Sequence, residues 1–172
     1  MALRLVTPAR KHRRAWKQLN RAFRQEGPRG YSGIGRKETW GHFLRQNRRF
    51  AKGRHLPKGY VPGSKYFLMD GDGPKILGIV SLRHRLNDHL LNNPGGHIGY
   101  AVAPSERRRG YGTEQLRLAL EICRDMGINP VLITCHKENA GSAKVIRNNG
   151  GVLEDERLDS EGKVFQRYWI AL

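Results

Sequence analysis

The chain has 172 residues, 38% of them hydrophobic, and a formal net charge of +17 at pH 7. Such a length builds one domain with a substantial core and is short for two, so a single domain over residues 1–172 is expected. No apolar run approaches the roughly eighteen residues of a membrane-spanning helix, and charged Arg4 interrupts the start before a secretory signal can form, which predicts a cytoplasmic protein with no membrane partner.

Periodicity gives the order of elements. Leu3 to Thr7 reads as an opening strand, which suits the acid-free, Arg-rich stretch up to Glu26 better than a transit peptide does. Ala15, Trp16, Leu19, Ala22 and Phe23 mark one apolar helix face, ended by Gly27-Pro28. After a glycine-rich stretch from Gly30 to Gly35, a second helix is expected near Lys37 to Arg49, burying Trp40, Phe43 and Leu44, and Gly53 to Gly63 reads as loop. Tyr66 to Met69 and Ile76 to Leu82 are short apolar runs on either side of Asp70-Gly-Asp-Gly-Pro74, a hairpin turn. A polar interval ending in Asn93-Pro-Gly-Gly96 leads to a third strand, His97 to Val102. Leu116, Leu120, Cys123 and Met126 keep helical spacing up to Gly127, Val131 to Cys135 is a buried strand, and Ala140 to Asn148 is a short helix. Val152 to Leu158 and Val164 to Ile170 close the chain as a hairpin. The order β-α-α-β-β-β-α-β-α-β-β describes an α/β (α+β) fold: a mixed, mostly antiparallel sheet with helices on both faces.

The chemistry concentrates in Val102-Ala-Pro-Ser-Glu-Arg-Arg-Arg-Gly-Tyr-Gly-Thr113, which sits between a strand and a helix. Glycines let backbone approach an anion closely, and the following helix start adds its positive dipole end. A dinucleotide fold needs its glycines earlier and an acid about twenty positions on at the end of a second strand, where this chain has the helix end Asp125-Met-Gly; the Gly-Lys-Ser/Thr tail of a P-loop is also missing. Arg107-x-x-Gly110-x-Gly112, three residues after Pro104, resembles the acetyl-CoA signature of the GNAT N-acetyltransferases. Asn139-x-x-Ser142, running through Ile146 to Gly150 after a strand, resembles that family's cofactor-flanking Asn and short helix. More narrowly, Val61-Pro62, Leu82-Arg-His-Arg-Leu-Asn87, Gly95-Gly-His-Ile-Gly-Tyr100 and Pro104-Ser-Glu-Arg-Arg108 resemble a bacterial branch of predicted acetyltransferases that is defined by sequence and not by substrate.

The resemblance implies one GNAT domain with an acetyl-CoA-binding core at 97–151 and the basic helices of 1–60 on the acceptor side. Acetyl-CoA is then the co-substrate, lying where the strands 97–102 and 131–135 splay apart. Backbone at Tyr100, Ala101 and Val102 would polarise the thioester carbonyl for direct attack by a primary amine. Arg107, Arg108, Arg109, Gly110, Tyr111, Gly112 and Thr113 would hold the phosphates, with Asn139 and Ser142 beside them. Many relatives carry a Tyr seven positions after the Asn as general acid; here that position is Ile146, which leaves Tyr100 or Tyr111 as candidates. His97 is the nearest candidate base, its ordinary pKa near 6.5 suiting neutral pH, and it reads equally well as a hydrogen-bonded structural His; His84 and Asp88 come next. Arg83, His84, Asn87 and Asp88 form an acceptor-facing turn, with Arg83 as an anion clamp.

The charge is uneven. Residues 1–60 hold 17 Lys or Arg against Glu26 and Glu38, which places +15 of the +17 there. That excess disfavours polycationic acceptors and fits an anionic small molecule, amino acid or peptide; it also fits RNA, a ribosome or an acidic peptide as a partner, or solvated charge. An RNA- or ribosome-binding protein on this scaffold would use Trp16, Tyr31 and Trp40, which fall at core spacing; acetylation of a protein N-terminus or lysine, or acylation by a longer acyl-CoA, is the other alternative, and sequence does not separate them. Cys123 and Cys135 form no CxxC pair and the histidines no HExxH, so core thiols and no metal are expected. A monomer or homodimer is expected.

Overall fold

Alternation along the central strands decides which helices they bind. In the computed structural model the described residues are 2–26 and 38–172. Gly27-Pro28, the stretch Gly30 to Gly35 and Tyr31 lie outside them. The elements are β1 (Leu3–Val6), α1 (Arg13–Gln25), α2 (Trp40–Ala51), β2 (Gly63–Asp70), β3 (Gly78–Arg83), α3 (Asp88–Asn92), β4 (Ile98–Val102), α4 (Tyr111–Asp125), β5 (Val131–His136), α5 (Ala140–Asn148), β6 (Val152–Leu158) and β7 (Val164–Ile170). Phe67, Met69 and Ile79 point to one face of the sheet and pack on Trp16, Leu19, Phe23, Trp40 and Phe43 of α1 and α2. Their neighbours Val80, Leu82 and Ile98 point to the other face and meet Leu116, Ala119 and Cys123 of α4. The aromatic rings stack, with Phe43 5.7 Å from Trp40 and 5.8 Å from Phe67 between centroids.

Two antiparallel sheets result, in the orders β1-β2-β3-β4 and β5-β7-β6, and one core cluster spans both, joining Val80 and Leu82 to Val131, Ile133, Ile146 and Tyr168. They meet at a short junction. Gly96 bridges Ile133, the His97 amide donates to Leu132 O at 2.7 Å, and the Gly95 amide donates to Thr134 Oγ1 at 2.7 Å. Beyond it, no ladder joins β4 to β5 among the described residues, so the pair splays. Gly127, at φ +71°, follows the end of α4 and lets the Ile128 amide return to Cys123 O at 2.9 Å, the helix stop its position predicts. One element is unanticipated. The interval before Asn93 contains α3, whose N-cap Asn87 accepts the Leu90 amide at 3.0 Å; five residues with none buried leave no periodicity to read.

Candidate functional site

At the loop 102–113, Pro104 to Glu106 form one tight turn, Arg108 takes a left-handed φ of +61°, and Gly110 at φ +82° precedes α4 without a side-chain cap. The first helical bond runs from the Glu114 amide to Gly110 O, so the amides of Gly112 and Thr113 have no helical acceptor and face outward at the positive end of a 15-residue helix. Space around Gly110 is open. Gly112 is where α4 touches α5 and β4, since a Cβ there would lie 3.1 Å from Val145 Cγ2 and 3.7 Å from Val102 Cγ2. This is a cradle suited to a pyrophosphate.

The three arginines are not equivalent. Arg107 forms a bidentate pair with Glu26 at 2.5 and 2.7 Å, and Arg109 donates to Glu106 at 2.7 Å. Glu106, buried at 4% exposure, also takes a hydrogen bond from Lys75; that bond, opposed by burial, holds its carboxyl below the usual range. Arg107 and Arg109 thus have their charge met within the protein, while both side chains stay about half exposed. Arg108 has no ion-pair partner among the described residues. Arg108→Gln is expected to weaken acetyl-CoA binding about tenfold, as loss of one charge-assisted contact does, while Arg107→Gln, which breaks an exposed pair, should change it less than threefold; calorimetry compares the two.

Strand phase sorts the β4 backbone. The Arg83 amide donates to His97 O and the Ala103 amide to Leu77 O, so odd residues of β4 bond β3 and the amides of Tyr100 and Val102 point to the gap with β5. Ala101 is excluded, because its backbone faces β3 and its side chain packs toward α1 and α2. The Tyr100 hydroxyl bonds Ser142 Oγ at 2.9 Å. Burial pushes its pKa above 10, so a full proton transfer to a thiolate, whose ordinary pKa is about 8.5, runs uphill. Tyr100 is a hydrogen-bond donor and a poor acid. Tyr111 is buried beside Leu68 and Leu77, with Arg109 over its ring at 5.8 Å, a packing role. Asn139 spends Oδ1 on the Ser142 amide at 3.0 Å as the N-cap of α5. Ile146 is fully buried in the core.

His97 does not meet the demands on a base. Its ring is 8% exposed, and Nδ1 accepts the Leu132 amide at 3.0 Å, which puts its proton on Nε2 and leaves no lone pair for an acceptor's proton. Burial first, and the nearby Arg83 charge second, lower its pKa to about 4. It ties β4 to β5. Cys123 and Cys135 are buried free thiols; burial lifts Cys123 to about 12 and raises Cys135 as well, so both are inert at neutral pH.

The acceptor side is a groove of about 1380 Å³ between α2, the loop 58–61 and the ends of β2 and β3. Ser81 of β3, which pairs with Gly99 of β4, is part of its lining. Arg45, Lys58, Lys65 and Arg83 line it, against one carboxylate, Glu38. Arg83 donates to Gly96 O at 2.9 Å, and burial lowers its pKa. Lys65 lies 5.1 Å over the Phe43 ring and is also lowered by burial. Ser64 lines the groove and its Oγ meets His84 Nε2 at 2.9 Å; burial lowers His84. His84, Asn87 and Asp88 are not in the lining: His84 reaches it only through Ser64, Asn87 caps α3 and donates to Gly59 O, and exposed Asp88 opens that helix. His42, Arg45, Lys65 and His89 line the groove unanticipated, since α2 and α3 show no motif; packing of α2 on β2 brings His42 and Arg45 beside Lys65, and His89 joins them from α3. Trp16 and Trp40 are 3% and 9% exposed, hence packing and no stacking platform for RNA.

Among the described residues no helix is long and apolar enough to cross a membrane. No curated protein sequence is significantly similar to the chain. In structure it is similar to a Salmonella typhimurium acetyl transferase that modifies the N-terminal serine of the 50S ribosomal subunit protein L7/L12, at 18% identity and TM-score 0.71 over 100% of this chain and 96% of that one. It is similar to RimL, a ribosomal L7/L12 alpha-N-protein acetyltransferase, in complex with coenzyme A, at 19% identity and TM-score 0.74 over 100% and 95%. It is also similar to the Vibrio fischeri ribosomal-protein-S5-alanine acetyltransferase, at 15% identity and TM-score 0.72 over 98% and 91%. Residues 4–152 match the acetyltransferase (GNAT) domain family, and the chain belongs to that family, an acyltransferase with acetyl-CoA as its donor.

Proposed function

We propose that the chain moves an acetyl group to the primary amine of an acidic acceptor, best served by a peptide amino terminus followed by acidic side chains. One observation carries this: four cations and one carboxylate line a groove of about 1380 Å³, larger than the roughly 300–1,000 Å³ of small-molecule pockets. The acceptor acts of the structural neighbours, on the N-terminal serine of L7/L12 and on S5, are peptide acetylations and support the reading.

Acetyl-CoA supplies an activated acyl group as a thioester. The chain's own residues hold and polarise. The α4 amides and Arg108 take the phosphates, and the gap-facing amides of Tyr100 and Val102 sit where an oxyanion develops. Tyr100, paired with Ser142, donates a hydrogen bond near the leaving sulfur without giving up its proton. With the lone pair of His97 committed, we assign the base to His84, which stands behind the groove-lining Ser64, and Ser64 relays the ammonium proton to it. Its lowered pKa keeps it neutral at pH 7 and able to accept.

His84→Ala should lower kcat/KM about 10²-fold at neutral pH, as removal of a positioned base does, and flatten the acidic limb of the pH–rate profile. An unaltered limb removes His84 from the role. For the acceptor, a thiol-release assay across peptides that differ only after the first residue should favour Asp and Glu over Lys and Arg by at least about tenfold, a difference of about 1.4 kcal/mol. Equal rates would refute an acidic acceptor.

A further inference from the structure

Among the cations of the acceptor groove, Arg83 is pinned against the base of the splay between β4 and β5. Its Nη1 donates to Gly96 O at 2.9 Å, and a Cβ built on Gly95 would lie 3.9 Å from its Cζ. Gly96 is itself the bridge to Ile133, where the two strands part. Strand alternation sets the direction of the side chain. Arg83 follows Ile79 and Ser81 at a period of two, and Ile79 packs toward α1 and α2, so Arg83 rises on the face of the sheet that the groove occupies.

The guanidinium has donors to spare. One N–H bonds a neutral carbonyl, and no carboxylate pairs with Arg83 among the described residues. Its remaining N–H groups are not sealed inside the protein, and they open on the groove that the residue lines. A half-buried cation whose charge is unmet favours an anion brought from outside. Arg45 and Lys58 also line the groove but are exposed, so they draw acid toward it without fixing where it binds.

A fixed cation measures distance. The chain from Gly96 to Tyr100, whose amide faces the gap where the oxyanion develops, spans about 10–13 Å when extended. In an extended acceptor, the side-chain carboxylate of the second residue lies about 6 Å from the amino terminus, that of the third or fourth about 9–12 Å, and that of the fifth about 15 Å. Free aspartate or glutamate, with less than about 6 Å between amine and carboxylate, is too short.

We infer that Arg83 reads acidity at one place in the acceptor: its unspent N–H groups take the side-chain carboxylate of the third or fourth residue while the amino terminus reaches the thioester. This rests on the peptide reading above and adds a position to it.

A thiol-release assay on the full chain at saturating acetyl-CoA tests it. The probes are C-terminally amidated octapeptides of uncharged residues, with a constant first residue and a single aspartate moved from the second to the sixth position. The expected kcat/KM is about tenfold higher with aspartate third or fourth than second or sixth, a difference carried by KM and worth about 1.4 kcal/mol, as one charge-assisted contact is. Arg83→Gln should level the scan. Arg83→Lys keeps a charge and a donor for Gly96 O but loses the planar fork, and should retain the maximum at about threefold. Calorimetry with acetyl-CoA shows whether each variant keeps its fold and its splay. A level scan in the wild type, a maximum at any other position, or an unchanged scan in either variant that binds acetyl-CoA would overturn the inference. Turnover with a level scan removes the role of Arg83 and leaves peptide acetylation standing, whereas no turnover of any peptide removes both.

Discussion

Gly96→Ala is expected to cost about 3–4 kcal/mol of stability and to abolish measurable acetyl-CoA binding, because a methyl group at this position meets backbone only. An added Cβ would lie 2.4 Å from Leu132 O, 2.9 Å from Leu132 C and 3.2 Å from Ile133 Cα, none of which can swing aside as a side-chain end can. The residue also holds φ +65°, a left-handed conformation that costs an L residue about 1 kcal/mol. The remaining 2–3 kcal/mol comes from overpacking. Gly96 is the bridge to Ile133, and its carbonyl receives Arg83. Displacing it therefore shifts the origin of the splay between β4 and β5. Urea denaturation gives the stability change and calorimetry the loss of binding; a variant of wild-type stability would show that the junction yields more easily than its backbone contacts imply.

His97→Ala is the second large effect, and it acts on stability before chemistry. Removing the imidazole leaves the Leu132 amide buried without an acceptor, at about 1–3 kcal/mol, and opens a void in a site only 8% exposed. The pH dependence carries its signature. In the unfolded chain His97 titrates near 6.5 and in the folded protein near 4, so between these values the unfolded state binds more protons and stability rises with pH. The contribution is present above about pH 6.5 and is lost as pH falls toward 4; a shift of this size is worth about 3 kcal/mol. The wild type should show that slope in chemical denaturation, and the variant should lack this part of it. If His97 holds strands and moves no proton, the variant's kcat/KM retains the shape of its pH profile above pH 6. Loss of a limb there would return His97 to the role of base.

How far the sequence reaches differs between neighbouring residues. The strands and helices around Trp16, Phe67, Leu116 and Ile133 were readable because burial on one face repeats at two or at three to four residues. The start of α4 was readable for a related reason: Gly110 and Gly112 lie adjacent in sequence to the helix whose amides they uncover, so the feature is local. Among the arginines beside it, only contact over distance distinguishes them, since Glu26 lies 81 residues from Arg107 and Lys75 lies 31 from Glu106. Arg109 had a local hint in Glu106 three residues earlier. The same limit governed His97, whose acceptor bond to Leu132 spans 35 residues. Nothing about a histidine before a strand tells whether its lone pair is spent.

What the sequence determined by itself, then, is whatever depends on neighbours along the chain: the periodic faces of the core, the glycines at the start of α4, the stop at Gly127 and the basic excess of residues 1–60. What only the tertiary structure decided is which of those charges and rings remain available. Pairing of Arg107 and Arg109 with acids, commitment of His97 to Leu132, the phase that aims Tyr100 and Val102 but not Ala101 into the gap, and the gathering of Lys65 and Arg83 into one groove all arise between strands and helices distant in sequence. A hydrogen bond or ion pair is set by separation and direction in space, and periodicity along a chain carries no information about either until the sheets are assembled.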